Sequence, residues 1–185
     1  MIVAQPSTPA GVVDAVVSLI SIRPGRLRVA IDGAPAAEPE NLAEQVVREL
    51  APRRSLLVRA DHFWRQASLR LEDGRHDADA WLDHWLDEAA LRREVLDPCA
   101  TTGRVLPALR DPITDRSLRS VRVELPPDGV VIVAGSVLLG RGLPFDVAVH
   151  VHLTQAALVR RTDESQGWTL PALARYERER NPAAL

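Results

Sequence analysis

Four short aliphatic runs punctuate this chain, at 27–31 (LRVAI), 55–60 (SLLVRA), 130–134 (VVIVA) and 147–153 (VAVHVHL), each bounded by turn formers or charge. Near-continuous Val, Ile and Leu lack the in–out alternation of a half-solvated strand. They mark strands covered on both faces, as a parallel sheet requires. Amphipathic stretches at 12–22, 41–50, 78–96 and 170–180 lie around and between them, which is the order of elements that builds such a sheet. The expectation is an α/β fold, a doubly wound parallel sheet, in one domain covering all 185 residues. Residues 1–11, with Pro6, Pro9 and Gly11, read as a flexible leader. Residues 62–125 read as an insert between the second and third strands: the helix at 78–96, a loop through Pro98, Gly103 and Pro107 to Pro112, and a strand at 120–125. Ligands of open α/β sheets bind beyond the carboxyl ends of the strands, so this insert would overhang the site as an acceptor-side lid.

Composition excludes several classes. A net charge of −2 with 26% charged residues offers no basic field for nucleic acid or anionic lipid. The stretch at 12–22 is too short to span a membrane, carries Asp14 and follows no basic residue, so neither a signal peptide nor a membrane segment is expected. Cys99 is the only cysteine, which precludes an internal disulfide and fits a reducing compartment, the cytoplasm. Beside Pro98 in the expected loop, it has no basic neighbour in sequence to activate it. The segment Gly135-Ser136-Val137-Leu138 does not match the nucleophile elbow G-x-S-x-G. His150 and His152 alternate on one strand face, but no third ligand is recognisable in sequence, so structural roles are expected and no metal.

All 23 residues counted as Lys+Arg are arginines. The missing lysine matters most after the first strand. Loops that cradle nucleotide phosphates read G-x-x-x-x-G-K-[ST], with backbone amides and the lysine facing the phosphates and the hydroxyl on Mg²⁺. Here the strand runs into Ile31-Asp32-Gly33 and then Ala34-Pro35-Ala36-Ala37, and the last three positions are Glu38, Pro39 and Glu40. A carboxylate held about 4 Å from a phosphate charge costs roughly 4 kcal/mol at an effective dielectric near 20. Pro39 and Glu40 are also good first-turn residues for the helix that follows. Helix capping and phosphate exclusion are compatible readings.

Six blocks taken in order, IDG at 31–33, ADHFWRQASLRLE at 60–72, DADAWLDHWLD at 77–87, LPALRDP at 106–112, LLGRGLPFD at 138–146 and RRTDESQGWTLPALARYERE at 160–179, resemble the uridine-kinase-like P-loop proteins of actinobacteria over residues 12–182. The resemblance implies a nucleoside-kinase fold whose ancestral reaction moves the ATP γ-phosphoryl to a nucleoside 5′-hydroxyl. It implies Asp61, in DHFW, as the general base, although a strand-end Asp also caps turns. It places Asp77 near the sugar, with Phe63, Trp81 and Asp111 on the substrate side. The row Asp77, Asp79, Asp83 and Asp87 otherwise reads as a solvated helix face, and Trp81 with Trp85, four apart, as a core stripe.

Departures from the family gather on the donor side. Ala134 stands where an acid usually helps hold Mg²⁺. The lid keeps Arg160 and Arg161, which could instead pair with Asp163 and Glu164, but reads Gln166, Gly167 and Trp168 where relatives carry further arginines. Asp32, Gly33, Glu38, Glu40, Arg160 and Arg161 are thus the remnants of a degenerate phosphate site. The family's last strand is also missing, which leaves a sheet edge open for a homodimer. The sequence therefore predicts a degenerate, non-catalytic relative that needs no cofactor and binds a nucleoside-like small molecule or a protein partner. The alternative is an active kinase in which Asp32 and Glu40 hold Mg²⁺ and Arg160 and Arg161 grip ATP.

Overall fold

The computed structural model describes residues 7–179. Helix α1 (Pro9–Ser21) starts where Thr8 accepts a hydrogen bond from the Gly11 amide at 3.2 Å and Pro9 fills the first turn. The expected leader is therefore shorter by the residues from Pro9 on, and residues 1–6 lie outside the described residues. Strand β1 (Leu27–Gly33) leads through a 3₁₀ turn (Pro35–Ala37) into α2 (Pro39–Glu49), and β2 (Ser55–Arg59) runs into a second 3₁₀ turn, Ala60–Phe63. The short helix α3 (Ala67–Arg70) follows.

The single helix expected at 78–96 is broken. It comprises α4 (Ala78–His84), α5 (Glu88–Leu91) and a π-helical turn (Arg92–Leu96), which leads into α6 (Asp97–Ala100). The interruption is tertiary: residues 85–87 pair with the segment after β2. The Arg65 amide donates to the Trp85 carbonyl at 2.7 Å, and the Asp87 amide to the Phe63 carbonyl at 2.9 Å. Asp87 then caps α5 by accepting from the Ala90 amide at 2.9 Å. Helical periodicity continues across this break, so the sequence reads as unbroken. Cys99, expected in a loop, is buried on α6, where desolvation raises its thiol pKa. Of the strand expected at 120–125, only β4 (Val123–Glu124) forms, antiparallel to β3 (Arg104–Val105) and apart from the main sheet.

The chain re-enters the sheet with β5 (Val130–Gly135) and β6 (Val147–Val151) and ends, within the described residues, with α7 (Gln155–Arg161), a 3₁₀ segment (Glu164–Thr169) and α8 (Leu170–Glu179). The four long strands form one all-parallel sheet in the order β2-β5-β1-β6. Helices cover both faces. On one, Val29, Ile31, Val130 and Ile132 meet Val16 and Ile20 of α1 and Leu42 and Val46 of α2. On the other, Val58, Val131 and Val133 meet Leu91, Val95, Leu96 and Cys99. Each such aliphatic side chain contributes roughly 1.5–3 kcal/mol on burial, which explains why the strand runs are unbroken. A third cluster joins Ala30 and Ala34 to Trp81 and Trp85 on one side and to Leu158, Leu173 and Tyr176 on the other. This is the α/β, parallel-sheet architecture that the aliphatic runs predict.

Candidate functional site

The sheet register brings Asp32 opposite both Gly135 and His150, and Gly33 opposite Val151. Two glycines let the backbones meet here. A Cβ on Gly33 would stand 3.1 Å from the Val151 carbonyl oxygen, and one on Gly135 would stand 2.6 Å from the Ala60 Cβ. Asp32 is fully buried. Its Oδ1 accepts from the Leu138 amide at 2.8 Å. Its Oδ2 accepts from the Tyr176 hydroxyl at 2.9 Å and lies 2.5 Å from His150 Nδ1. Val137, before Leu138, has φ 57°, a conformation that a β-branched residue adopts only under constraint. That turn aims the Leu138 amide at the carboxylate.

His150 is held between acids, since its Nε2 lies 2.8 Å from Glu177 Oε1. Burial alone would lower its pKa, but the hydrogen bonds and charges of Asp32 and Glu177 win and raise it to about 9. Tyr176, whose hydroxyl accepts from the Leu139 amide at 2.8 Å, is pushed far upward by burial and then by the Asp32 charge, so it stays a neutral donor. Tyr176 and Glu177 were not singled out from the sequence. No local signal marks them, because α8 meets β1 only through the fold.

The loop after Gly33 turns inward. The Ala37 amide donates to the Ala34 carbonyl at 2.8 Å and the Glu38 amide to the Pro35 carbonyl at 3.0 Å. Glu38 has φ 53°, left-handed backbone at the position where the phosphate-loop pattern has glycine. Pro39, with no N–H, occupies the first turn of α2 as the sequence predicts. The Glu38 carboxylate is exposed and accepts from the Asn41 side-chain amide at 3.0 Å. Glu40 is partly buried, and desolvation, with the nearby Asp61 charge adding to it, raises its pKa.

Asp61 is paired with Arg59, whose Nη2 lies 3.0 Å from Oδ2, and Glu40 lies in the field of both. It provides no side-chain cap to the turn it sits in. Arg59 was missed in the sequence because it belongs to the strand run. Arg160 and Arg161 are exposed at the end of α7 and form no ion pair among the described residues, with Asp163 and Glu164 or otherwise, while α7 itself packs against the Pro35–Ala37 turn.

The residues expected on the substrate side are placed as follows by the fold. Phe63 is fully enclosed in the second core cluster, and Trp81 is buried in the third. Asp77 caps α4 by accepting from the Ala80 amide at 2.7 Å. Asp79, 74% exposed as a solvated face expects, and the partly buried Asp83 both pair with Arg175 of α8. Asp111 holds a turn by accepting from the Ile113 and Thr114 amides, and the bonds from Thr114 lower its pKa. All four tryptophans gather here. Trp168 lies 5.9 Å from Trp85 and 6.2 Å from Trp81, and Trp64 meets Trp85 edge-on at 5.1 Å, centroid to centroid.

Arg70 stands over Trp64 and Trp85, 5.2 and 5.1 Å from the ring centroids, and donates through Nη2 to the Pro112 carbonyl at 2.9 Å. It is only 8% exposed, and desolvation lowers its pKa. Its Nε and the Trp85 Nε1 are buried donors without a hydrogen-bond partner among the described residues.

No protein-family model and no curated protein sequence matches the chain. Solved structures do. A possible uridine kinase from Bacillus stearothermophilus superposes with a TM-score of 0.74 at 17% identity, covering 92% of each chain. A protein of Silicibacter sp. TM1040 described as a fructose transport system kinase superposes with a TM-score of 0.67 at 22% identity, covering 93% of this chain and 89% of its own. At such identities the likeness speaks for fold alone. With the parallel sheet, the β1–loop–α2 unit and the helical insert after β2, it shows that this chain has a uridine-kinase-like P-loop fold.

Proposed function

We propose that this chain is a uridine-kinase-like protein that does not process ATP, and that it binds a nucleoside-like small molecule, or a protein partner, on its acceptor side. One observation carries the reading: the Ala37 and Glu38 amides are spent on the loop's own carbonyls, so the donors that would cradle a β-phosphate are engaged. The donor set fits a triphosphate poorly in other respects. Glu38 is exposed where the loop's second glycine would be, Pro39 replaces the lysine, and Ala134 is a buried strand residue where an acid would help hold Mg²⁺.

The competing arrangement, an active kinase with Asp32 and Glu40 on Mg²⁺, is disfavoured because both Asp32 oxygens already accept protein hydrogen bonds in a fully buried setting. Asp61 beside Arg59 is likewise a paired carboxylate rather than a free base. On the acceptor side, the unpartnered donors on Arg70 and Trp85 suit a ligand rich in acceptor oxygens and flat rings, as nucleosides are. Calorimetry of the full chain against Mg-ATP and then uridine and other nucleosides tests this. Nucleoside binding without ATP binding is the expected result, and micromolar ATP binding with turnover would establish the kinase instead.

The edge of β6, unpaired among the described residues, supports a homodimer through added strand pairing. Light scattering at twice the chain mass is expected, and a monomeric mass rules that pairing out.

A further inference from the structure

The end of β6 and the residue after it carry a group of side chains that faces α8. His150 Nε2 lies 2.8 Å from Glu177 Oε1, and His152 Nδ1 lies 3.3 Å from Glu177 Oε2. One ligand atom from each of the three residues falls within 4.8 Å of the others. We propose that His150, His152 and Glu177 bind a zinc-class divalent cation through His150 Nε2, His152 Nδ1 and the Glu177 carboxylate. This does not depend on the nucleoside reading.

The donor set comes first. Two imidazoles and one carboxylate are three ligands of the type zinc takes at sites that keep a fourth position open. Spacing comes second. Ligand atoms about 2.0–2.2 Å from a tetrahedral ion stand roughly 3.4 Å from one another, so small rotations of the exposed His152 and the partly buried Glu177 toward the fixed His150 close the site. Orientation comes third. Asp32 holds His150 Nδ1 from within the core and is itself fixed by the Leu138 amide and the Tyr176 hydroxyl, so the ring offers Nε2 outward. A carboxylate behind a histidine is how metal-binding imidazoles are fixed in tautomer and direction. On binding, the ion replaces the proton on Nε2, which passes to solvent.

Imidazole nitrogen favours zinc-like ions over Mg²⁺, which prefers an octahedron of oxygens, so this site differs in kind from a kinase metal site. His152 and Glu177 also line a pocket of about 250 Å³ with Ala34, Leu158 and Leu173, from which a small ligand could reach the fourth position.

The test uses untagged full-length protein, stripped with a chelator, titrated with Zn²⁺ by calorimetry and with Co²⁺ by visible absorption. One ion per chain, an intense tetrahedral Co²⁺ spectrum and no competition from excess Mg²⁺ are expected. His152→Ala removes a side chain that is 58% exposed, which leaves the fold intact, and Glu177→Gln keeps the volume of the acid. Each should weaken binding by at least about tenfold, on the scale of 10–100-fold measured for lost supporting groups at metal sites. Circular dichroism checks that both variants are folded. Absence of binding, or binding unchanged in His152→Ala because the ion sits on another histidine, overturns the proposal.

Discussion

Around β1 both oxygens of Asp32 are met by protein donors, whereas among the tryptophans two buried donors, Arg70 Nε and Trp85 Nε1, have no partner among the described residues. The two regions are close in the fold and alike in burial, yet one closes its polar groups on itself and the other does not. A buried polar group left unsatisfied costs about 1–3 kcal/mol, so such atoms are rare and call for a reason other than stability. The difference is that the polar atoms around Asp32 are closed within the protein, while those of Arg70 and Trp85 keep bonding capacity.

The largest expected effect is on the closed side. Asp32→Ala strips partners from the Leu138 amide, the Tyr176 hydroxyl and His150 at once. It should cost roughly 3–5 kcal/mol in denaturant unfolding, the range for breaking a buried charge network. A loss below about 1 kcal/mol would mean that the network is not structural and the contrast fails.

Next is pH. His150 has a folded pKa of about 9, above its ordinary 6.5, with Asp32, Glu177 and Tyr176 facing it from β1 and α8 and His152 beside it just after β6. Its contribution is complete below the unfolded pKa and is lost as pH rises through the folded one. In chelator-treated protein the denaturation midpoint should therefore fall between pH 6.5 and about 9. In His150→Gln that part of the slope should vanish.

The smallest effect belongs to the open side. Arg70→Met replaces a poorly bonded buried cation with an apolar chain, and buried charges replaced in this way often leave stability little changed. Stability within about 1 kcal/mol of the parent, with loss of nucleoside binding in calorimetry, would sharpen the comparison. A cost above about 3 kcal/mol would show that Arg70 is a structural strut.

The aliphatic runs made the sheet legible because strands covered on both faces must be apolar throughout. The β1–loop–α2 unit was legible because Gly33 and Pro39 have local reasons to be where they are. The broken helix was not, since the break comes from hydrogen bonds between residues 63–65 and 85–87, which no periodicity records. His150 and His152 were visible as an alternating pair. Glu177 and Asp32, which complete their surroundings, lie 27 and 118 residues from His150. Phe63 and Trp81 are buried in the core clusters, as the core-stripe reading of Trp81 expects, and aromatic side chains look alike in sequence whether they line a cleft or fill a core.

The β1–β6 pairing has a further consequence. A slip of β6 by one residue would turn His150 to the opposite face and set valine beside the buried Asp32. Since among the described residues β6 is bonded to the sheet on one side only, a cation clasped between its end and α8 would act as a latch on alignment. Loading such an ion would then report that the last strand had docked in the right frame.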